Sequence, residues 1–258
     1  MNAPQPESAP LHLPGQLSLT VGQYSMAGRK ARNEDAIGIR IPEGNLQTTK
    51  GAAAVIADGV SAAEAGQEAS QTAVTSFLSD YFSTPESWSV KASAQQVLTA
   101  LNRWLYGRGR HFGDASRGYI CTFSALVIKS HQGHLFHVGD SRVYLLRGGE
   151  LEQLSRDHCT PVSEARSYLT RALGLDVHLD VDYRQLNLEA GDLFLLTTDG
   201  IHDVFTNREL CGYLEGIKGE FEHHCRWLAH AAVERGSADS VSCQLLRVDA
   251  RLRQGIHP

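Results

Sequence analysis

Apolar and polar residues follow strand-like patterns in nine short stretches of the chain. The predicted strands are Leu17–Gln23, Ala36–Ile41, Ala52–Ala57, Ile120–Lys129, Gly133–Val138, Arg142–Arg147, Val181–Leu186, Asp192–Thr198 and Ser240–Val248. Short turns containing glycine join several of them, as at residues 131–133 and 147–149. Such turns favour antiparallel pairing, because parallel strands need long crossover connections.

Longer stretches with helical spacing lie between the early strands and near the C-terminal end. The predicted helices are Ala62–Tyr81, Val90–Tyr106, Asn207–Leu214 and Glu220–Arg235. Many antiparallel strands with long helices beside them predict stacked sheets covered by helices. We therefore expect a single α+β domain over residues 16–249. Residues 1–15, with four prolines, are interpreted as a flexible lead, and residues 250–258 as a tail or linker.

Composition and charge narrow the class of partner and the compartment. The 258 residues are 42% hydrophobic and 21% charged, which is typical of a soluble globular domain. A net charge of −5 gives no reason to expect nucleic acid or an anionic membrane as a partner. No apolar run approaches the ~18 residues that span a bilayer, and no secretory signal is evident. Five cysteines without a CxxC pair fit a reducing compartment, so we expect a cytoplasmic protein.

Aspartates stand beside glycines at the ends of three predicted apolar strands. These aspartates are Asp58, Asp140 and Asp199. A single Asp-Gly pair more often marks only a turn. A carboxylate at the end of a buried strand, however, is unfavourable unless it is paired or bound to a cation. Further acidic residues that add to the pattern are Glu34, Asp35 and Asp239. Oxygen ligands of this kind indicate Mg²⁺ or Mn²⁺ rather than zinc.

Seven motifs occur in an order that is specific as a set, although each one alone is weak. They are Gly28-Arg-Lys-Ala-Arg-Asn-Glu-Asp35, Ala57-Asp-Gly59, His137-Val-Gly-Asp-Ser-Arg142, Leu154-Ser-Arg-Asp-His158, Leu169-Thr-Arg-Ala-Leu-Gly174, Thr198-Asp-Gly-Ile-His-Asp203 and Gly236-Ser-Ala-Asp239. On these motifs the chain resembles the metal-dependent protein phosphatase family, type 2C, over about residues 20–248. The resemblance implies a central antiparallel β-sandwich flanked by helices, in α-β-β-α layers.

The resemblance also implies a site for two Mn²⁺ or Mg²⁺ ions. Asp58 would bridge the two ions, and the carbonyl oxygen of Gly59 would be a further ligand. Asp199 and Asp239 would hold the first ion. Two ions of this kind lower the pKa of a bridging water, which attacks the phosphorus atom without a covalent enzyme intermediate.

Other residues complete the implied site. Asp35 and Glu34 would contribute ligands directly or through waters, and Asp140 would help to hold a third, weaker ion, as in bacterial members. The family commonly has an arginine near the metals for the phosphate group. This chain has a lysine at that position, so either Lys30 or Arg29 is the candidate for phosphate binding.

The chain departs from the family pattern at two places near the site. Val60 follows the first Asp-Gly, where some members have a histidine proposed as general acid. Proton donation to the leaving group would then fall to a metal-bound water or another group. His202 is a candidate only by position, and a structural role is expected of it. Only ten residues, Cys159–Tyr168, occupy the place of a longer flap, which predicts a more open site and weaker local substrate selection.

The favoured hypothesis is an active phosphatase that hydrolyses phosphoserine and phosphothreonine in phosphorylated proteins. The motif wording resembles bacterial phosphatase modules fused ahead of a serine/threonine kinase, which implies a cognate kinase in the same chain or a separate one. Two alternatives stay open. One is a partner-switch phosphatase acting on an anti-sigma-factor antagonist. The other is a catalytically silent scaffold, which would be expected to lose its metal carboxylates.

Overall fold

The computed structural model describes residues 18–249, apart from residues 62, 64, 111–117 and 164–165. Its strands, in chain order, are β1 Leu19–Met26, β2 Asp35–Arg40, β3 Ala52–Asp58, β4 Phe123–Lys129, β5 Gln132–Val138, β6 Arg142–Arg147, β7 Glu150–Gln153, β8 Cys159–Ser163, β9 Arg166–Leu169, β10 Asp182–Asn187, β11 Leu193–Thr197 and β12 Val241–Val248. The predicted lead 1–15 and the predicted tail 250–258 lie outside the described residues.

Two five-stranded sheets stack face to face to form the centre of the fold. The first sheet has the order β1-β12-β11-β6-β7, and the second has the order β10-β5-β4-β3-β2. Neighbouring strands in both sheets pair antiparallel, as the short turns predicted. Strands β8 and β9 form a separate hairpin.

Helices cover both outer faces of this sandwich. They are α1 Gly44–Lys50, α2 Gly66–Ser83, α3 Val90–Gly109, α4 Asp199–His202, α5 Asn207–Glu215 and α6 Phe221–Glu234. The side chains of α2 and α3 form one apolar core with the second sheet, and α4 to α6 form another with the first sheet. A third core fills the space between the sheets. This arrangement confirms the predicted α+β class and its α-β-β-α layers. None of the described helices combines the length and apolar character that crossing a membrane requires.

Strand β3 shows how the sequence sets these layers. All seven of its residues are buried, because the strand lies inside the sheet with packed layers on both faces. Ala53 and Val55 point to the helix-covered face, whereas Ala54 and Ile56 point into the space between the sheets. A continuous apolar run therefore serves two cores at once, and it ends abruptly at Asp58.

Several predicted boundaries differ from the structure for local reasons. Helix α2 begins at Gly66 rather than Ala62, because the backbones around Gly59 and Gly66 pack together before the helix starts. A Cβ on Gly66 would lie 2.7 Å from the carbonyl oxygen of Val60. The predicted strand Ile120–Lys129 begins at residue 123, since Cys121 forms isolated bridges on either side instead of continuing the ladder.

A buried lysine lies at the opposite end of β3 from Asp58. Lys50, the last residue of α1, is 1% exposed. Its ammonium donates hydrogen bonds to Thr84 Oγ1 at 2.6 Å, to the carbonyl oxygen of Pro85 at 2.8 Å and to Ser93 Oγ at 3.0 Å. Burial lowers the pKa of Lys50. Thr84 and Pro85 follow the end of α2 and Ser93 lies in α3, so this side chain ties three helices together.

Candidate active site

Strand register brings the predicted acidic residues to one end of the sandwich. Asp35, the first residue of β2, pairs directly with Asp58, the last residue of β3. Asp140 follows the end of β5, Asp199 follows the end of β11, and Asp239 precedes the start of β12. In an antiparallel sheet the end of one strand lies beside the start of the next, so Asp35, Asp58 and Asp140 share one end of the second sheet, and Asp199 and Asp239 share one end of the first. A hydrogen bond from Thr198 to Asp35 shows that these two ends meet.

The charges of these carboxylates act on one another. Burial raises the pKa of Asp58 well above its usual range, and the charges of Asp35, Asp199, Asp239 and Asp140 raise it further. Burial likewise raises the pKa of Asp199 well above its usual range, with Asp239 as the next cause. Burial raises the pKa of Asp35 to about 6 and that of Asp140 to about 6. A group of acids in this state favours a divalent cation, which lets the carboxylates ionise together.

Two oxygens of this group fit a cation for a further reason. Among the described side chains, Asp35 Oδ1 and Asp199 Oδ1 are buried and lack a hydrogen-bond partner. A buried carboxylate oxygen without a partner is unfavourable. Carboxylate oxygens are also the ligands that Mg²⁺ and Mn²⁺ prefer. The donor set therefore fits the divalent ions that the sequence predicted.

The hydroxyl groups of two threonines form hydrogen bonds with Asp58 and Asp35. Thr122 Oγ1 accepts a hydrogen bond of 2.9 Å from the backbone N–H of Asp58. Thr198 Oγ1 donates to Asp35 Oδ2 at 2.8 Å and accepts from the backbone N–H of Ser242 at 3.1 Å. The sequence analysis missed these residues. Thr122 and Asp58 are 64 positions apart, so no local pattern links them, although Thr198 stands directly before a predicted ligand.

The two basic candidates for phosphate binding lie in different surroundings. Lys30 Nζ donates to Glu34 Oε2 at 2.6 Å and forms an ion pair with Asp239 Oδ1. Arg29 instead donates to the carbonyl oxygen of Val233, near the end of α6, at 3.1 Å. Burial by itself lowers the pKa of Lys30, but the hydrogen bonds and charges of its two acidic partners outweigh burial and raise it overall. Lys30 is thus the basic side chain inside the acidic cluster.

Ser61, which was not predicted from the sequence, also contacts Lys30 and Glu34. Ser61 Oγ accepts from Lys30 Nζ at 2.6 Å and donates to Glu34 Oε2 at 2.8 Å. It lies three residues after Asp58, on the loop that leads to α2. Within the described part of the chain, no group of three or more Asp, Glu, His or Cys side chains is arranged so that it could hold a metal ion. Glu34 and Asp239 share the ammonium of Lys30 instead.

The turn that carries Asp140 is held from several sides. Gly139 has a φ of 109°, and a Cβ there would lie 2.6 Å from Cβ of Thr122. Ser141 Oγ is hydrogen-bonded to Thr122 Oγ1. Arg142 donates to both carboxylate oxygens of Asp157, at 3.0 Å and 2.7 Å to Oδ2 and at 3.2 Å to Oδ1. Ser141 and Arg142 therefore support the turn.

The structure shows the surroundings of His202 and of the residues that stand in place of a longer flap. His202 is buried, and burial lowers its pKa well below the usual value. Its Nδ1 lies 2.9 Å from Thr197 Oγ1, which is the arrangement of a structural histidine. The residues in place of a longer flap form the hairpin β8–β9, in which Cys159 pairs with Leu169.

Comparison with known proteins agrees with this geometry. A family model described as Protein phosphatase 2C matches residues 23–246. The protein phosphatase PhpP of Streptococcus pneumoniae is 29% identical over 174 residues, which cover 60% of this chain and 70% of PhpP. The structure of PppA of Pseudomonas aeruginosa is 26% identical, with a TM-score of 0.75 over 90% of this chain and 99% of that one. The catalytic domain of the phosphatase PstP, in complex with two manganese ions, is 25% identical, with a TM-score of 0.74 over 91% of this chain and all of that domain, 100%.

The fold and these comparisons identify a metal-dependent phosphoprotein phosphatase. The chain belongs to the protein phosphatase 2C family, whose enzymes use Mn²⁺ or Mg²⁺ to hydrolyse phosphoserine and phosphothreonine.

Proposed function

We propose that four carboxylates hold the divalent ions of this phosphatase: Asp35, Asp58, Asp199 and Asp239. Gly59, Glu34 and Asp140 are proposed as further ligands, the last for a third ion. The observation that carries this proposal is the convergence of acidic residues from separate parts of the chain. Burial raises the pKa values of Asp35, Asp58, Asp140 and Asp199, and two of their oxygens lack hydrogen-bond partners among the described side chains. Ions bound there supply an activated water and neutralise charge on the phosphate ester.

The protein's own residues contribute position and charge balance. The hydroxyl of Thr122 fixes the backbone of Asp58, and the hydroxyl of Thr198 fixes one oxygen of Asp35. The other oxygen of Asp35 therefore keeps its direction before any ligand arrives. Preorganised groups of this kind stabilise a transition state because they need not reorient during the reaction.

Lys30 is proposed as the cation that binds the phosphate group. Its ammonium is held by Glu34 and Ser61 at the edge of the acidic cluster, where it is about one-fifth exposed. Asp239 is its second acidic partner, so a phosphate that draws the ammonium away also frees an oxygen of a proposed metal ligand. A lysine offers a point charge rather than the two-pronged contact of an arginine.

Hydrolysis of p-nitrophenyl phosphate tests the metal assignment. Activity should require added Mn²⁺ or Mg²⁺ and should fall by at least about 100-fold in Asp199→Ala. Asp180→Ala removes an 81% exposed carboxylate elsewhere and is the matched control, with activity close to wild type. A rate that is independent of metal, or an unchanged rate in Asp199→Ala, would refute the assignment.

A second pair of variants tests the phosphate role of Lys30. Lys30→Ala should raise KM for a phosphothreonine peptide about tenfold or more, since a charge-assisted contact is lost. Arg29→Ala removes a neighbouring charge whose side chain points to the end of α6, and KM should change less than about twofold. Equal effects of the two substitutions would contradict the choice of Lys30.

The proposal also covers the substrates and partners of the protein. We propose phosphorylated proteins as substrates and a serine/threonine kinase, in the same chain or separate, as the opposing enzyme. None of the cysteines among the described residues forms a disulfide, which supports a reducing, cytoplasmic setting. Action on an anti-sigma-factor antagonist is the same chemistry on another substrate. Rates on a panel of phosphopeptides and on a phosphorylated antagonist protein distinguish these cases, and no turnover of any of them would favour the silent scaffold.

A further inference from the structure

A buried histidine, His158, forms hydrogen bonds with both backbone polar groups of Gly139, the residue before Asp140. The backbone N–H of His158 donates to the carbonyl oxygen of Gly139 at 2.7 Å. The side-chain Nδ1 of His158 accepts from the backbone N–H of Gly139 at 3.2 Å. The side chain of His158 is 2% exposed. One residue therefore fixes both polar groups of the glycine that positions Asp140.

The second ring nitrogen defines the form of this histidine. Because Nδ1 faces an N–H donor, the ring proton must be on Nε2. That proton is donated to Asp182 Oδ2 at 3.0 Å. The other oxygen of Asp182 accepts from Arg171 at 2.9 Å. A carboxylate behind an imidazole fixes the tautomer and orientation of the ring.

A second imidazole packs against the first. The ring centroids of His137 and His158 are 4.9 Å apart. His137 is itself held, with Nε2 3.0 Å from the carbonyl oxygen of Arg156 and Nδ1 2.8 Å from Ser124 Oγ. His158 is thus confined by directional contacts at both nitrogens and by a fixed ring on one face.

The same histidine stands at the base of the hairpin β8–β9. It directly precedes β8, and its carbonyl oxygen accepts from the backbone N–H of Thr170 at 2.8 Å, just after β9. Arg171, the next residue, is the partner of Asp182. Both ends of the hairpin therefore meet at His158, and from there a continuous set of hydrogen bonds leads to Gly139.

We propose that His158 is a positioning residue that couples the hairpin β8–β9 to the turn carrying Asp140. It acts through the peptide groups of Gly139 and has no contact with the reacting atoms. This inference rests on the proposed role of Asp140 as a metal ligand.

The first test uses the metal-free protein and needs no activity. Nitrogen-15 spectra of wild type should show His158 as the neutral Nε2–H tautomer. His158→Ala should speed amide hydrogen exchange of Gly139 by about tenfold or more, because one hydrogen bond is lost. Asp182→Ala keeps the imidazole and its packing, and should give a smaller increase in the same direction. Asp180→Asn, which alters only an exposed partner of Arg171, is the control and should leave exchange unchanged.

The second test separates coupling through Asp140 from general loss of structure. His158→Ala should raise the Mn²⁺ concentration for half-maximal activity about tenfold, as substitutions behind a metal ligand do. In an Asp140→Ala background the same substitution should have little further effect. Independent, additive effects, or unchanged Gly139 exchange, would overturn the inference. If the wild type showed no metal-dependent activity, the proposed function would be wrong. The exchange measurement on Gly139 would still test the role of His158.

Discussion

Replacement of Asp140 by asparagine should stabilise the metal-free protein at neutral pH. Burial, followed by the charges of Asp157 and Asp203, raises the pKa of Asp140 from 3.8 to about 6. A difference of that size means that ionising this carboxyl in the folded protein is unfavourable by roughly 3 kcal/mol at pH 7. Asparagine has nearly the same shape and no charge. After allowance for its own desolvation, we expect Asp140→Asn to gain about 1–2 kcal/mol in the free energy of unfolding.

The sign of this effect depends on pH. Below about pH 4 the Asp140 carboxyl is protonated in both folded and unfolded chains and contributes nothing. As the pH rises from about 4 to about 6, the unfolded chain ionises first, so the wild type loses stability relative to the variant. Above about pH 6 the contribution of the Asp140 carboxyl itself stays constant. Asp35, whose pKa is also raised, is present in both proteins and cancels in the comparison.

Urea unfolding followed by tryptophan fluorescence, in the presence of a chelator, measures the difference. The variant should be more stable than wild type at about pH 7.5, and the two should converge at about pH 3.5. Saturating Mn²⁺ should reverse the order, since the ionised carboxylate then has a cation to bind. Equal stability at the higher pH, or the same gain at both values, would refute the reasoning from burial and charge.

Three further substitutions test how the fold is held, each by thermal or urea unfolding. Lys50→Met should lower stability by about 2–3 kcal/mol with kcat unchanged, because Ser93 and the other polar groups around the ammonium lose their partner. Gly22→Ala places a methyl group against the backbone of Phe221 and should lose about 1–3 kcal/mol, and full stability would show that α6 shifts freely. Gly212→Ala, within α5 and with open space around it, is the contrasting case and should gain up to about 1 kcal/mol.

The layers of the fold could be predicted because their signal is local. One run of apolar residues ends at Asp58, and another ends just before Asp199. Each run predicts both a strand and the position of the carboxylate at its end. The edge strand β7, Glu150–Gln153, was missed because its side chains alternate between exposed and half-buried and form no apolar stripe. Helix α1 was missed because its sequence, GNLQTTK, lacks helical periodicity.

The site could be predicted only as far as its acidic residues. That Asp35 stands directly opposite Asp58 follows from strand register, which a local pattern does not fix. The choice between Lys30 and Arg29 depends on side-chain direction, and adjacent residues in the sequence point to different surroundings. The role of His158 depends on contacts with residues 19 and 24 positions away, which are brought together only by the folded chain.

Anomalous diffraction at the manganese edge, from crystals grown with Mn²⁺, tests the central assignment most directly. We predict at least two peaks, with carboxylate oxygens of Asp58 between them and those of Asp199 and Asp239 at the first. Crystals of Asp58→Asn should lose both peaks or show them strongly reduced. Manganese bound elsewhere, with these aspartates free of metal in the wild type, would contradict the account.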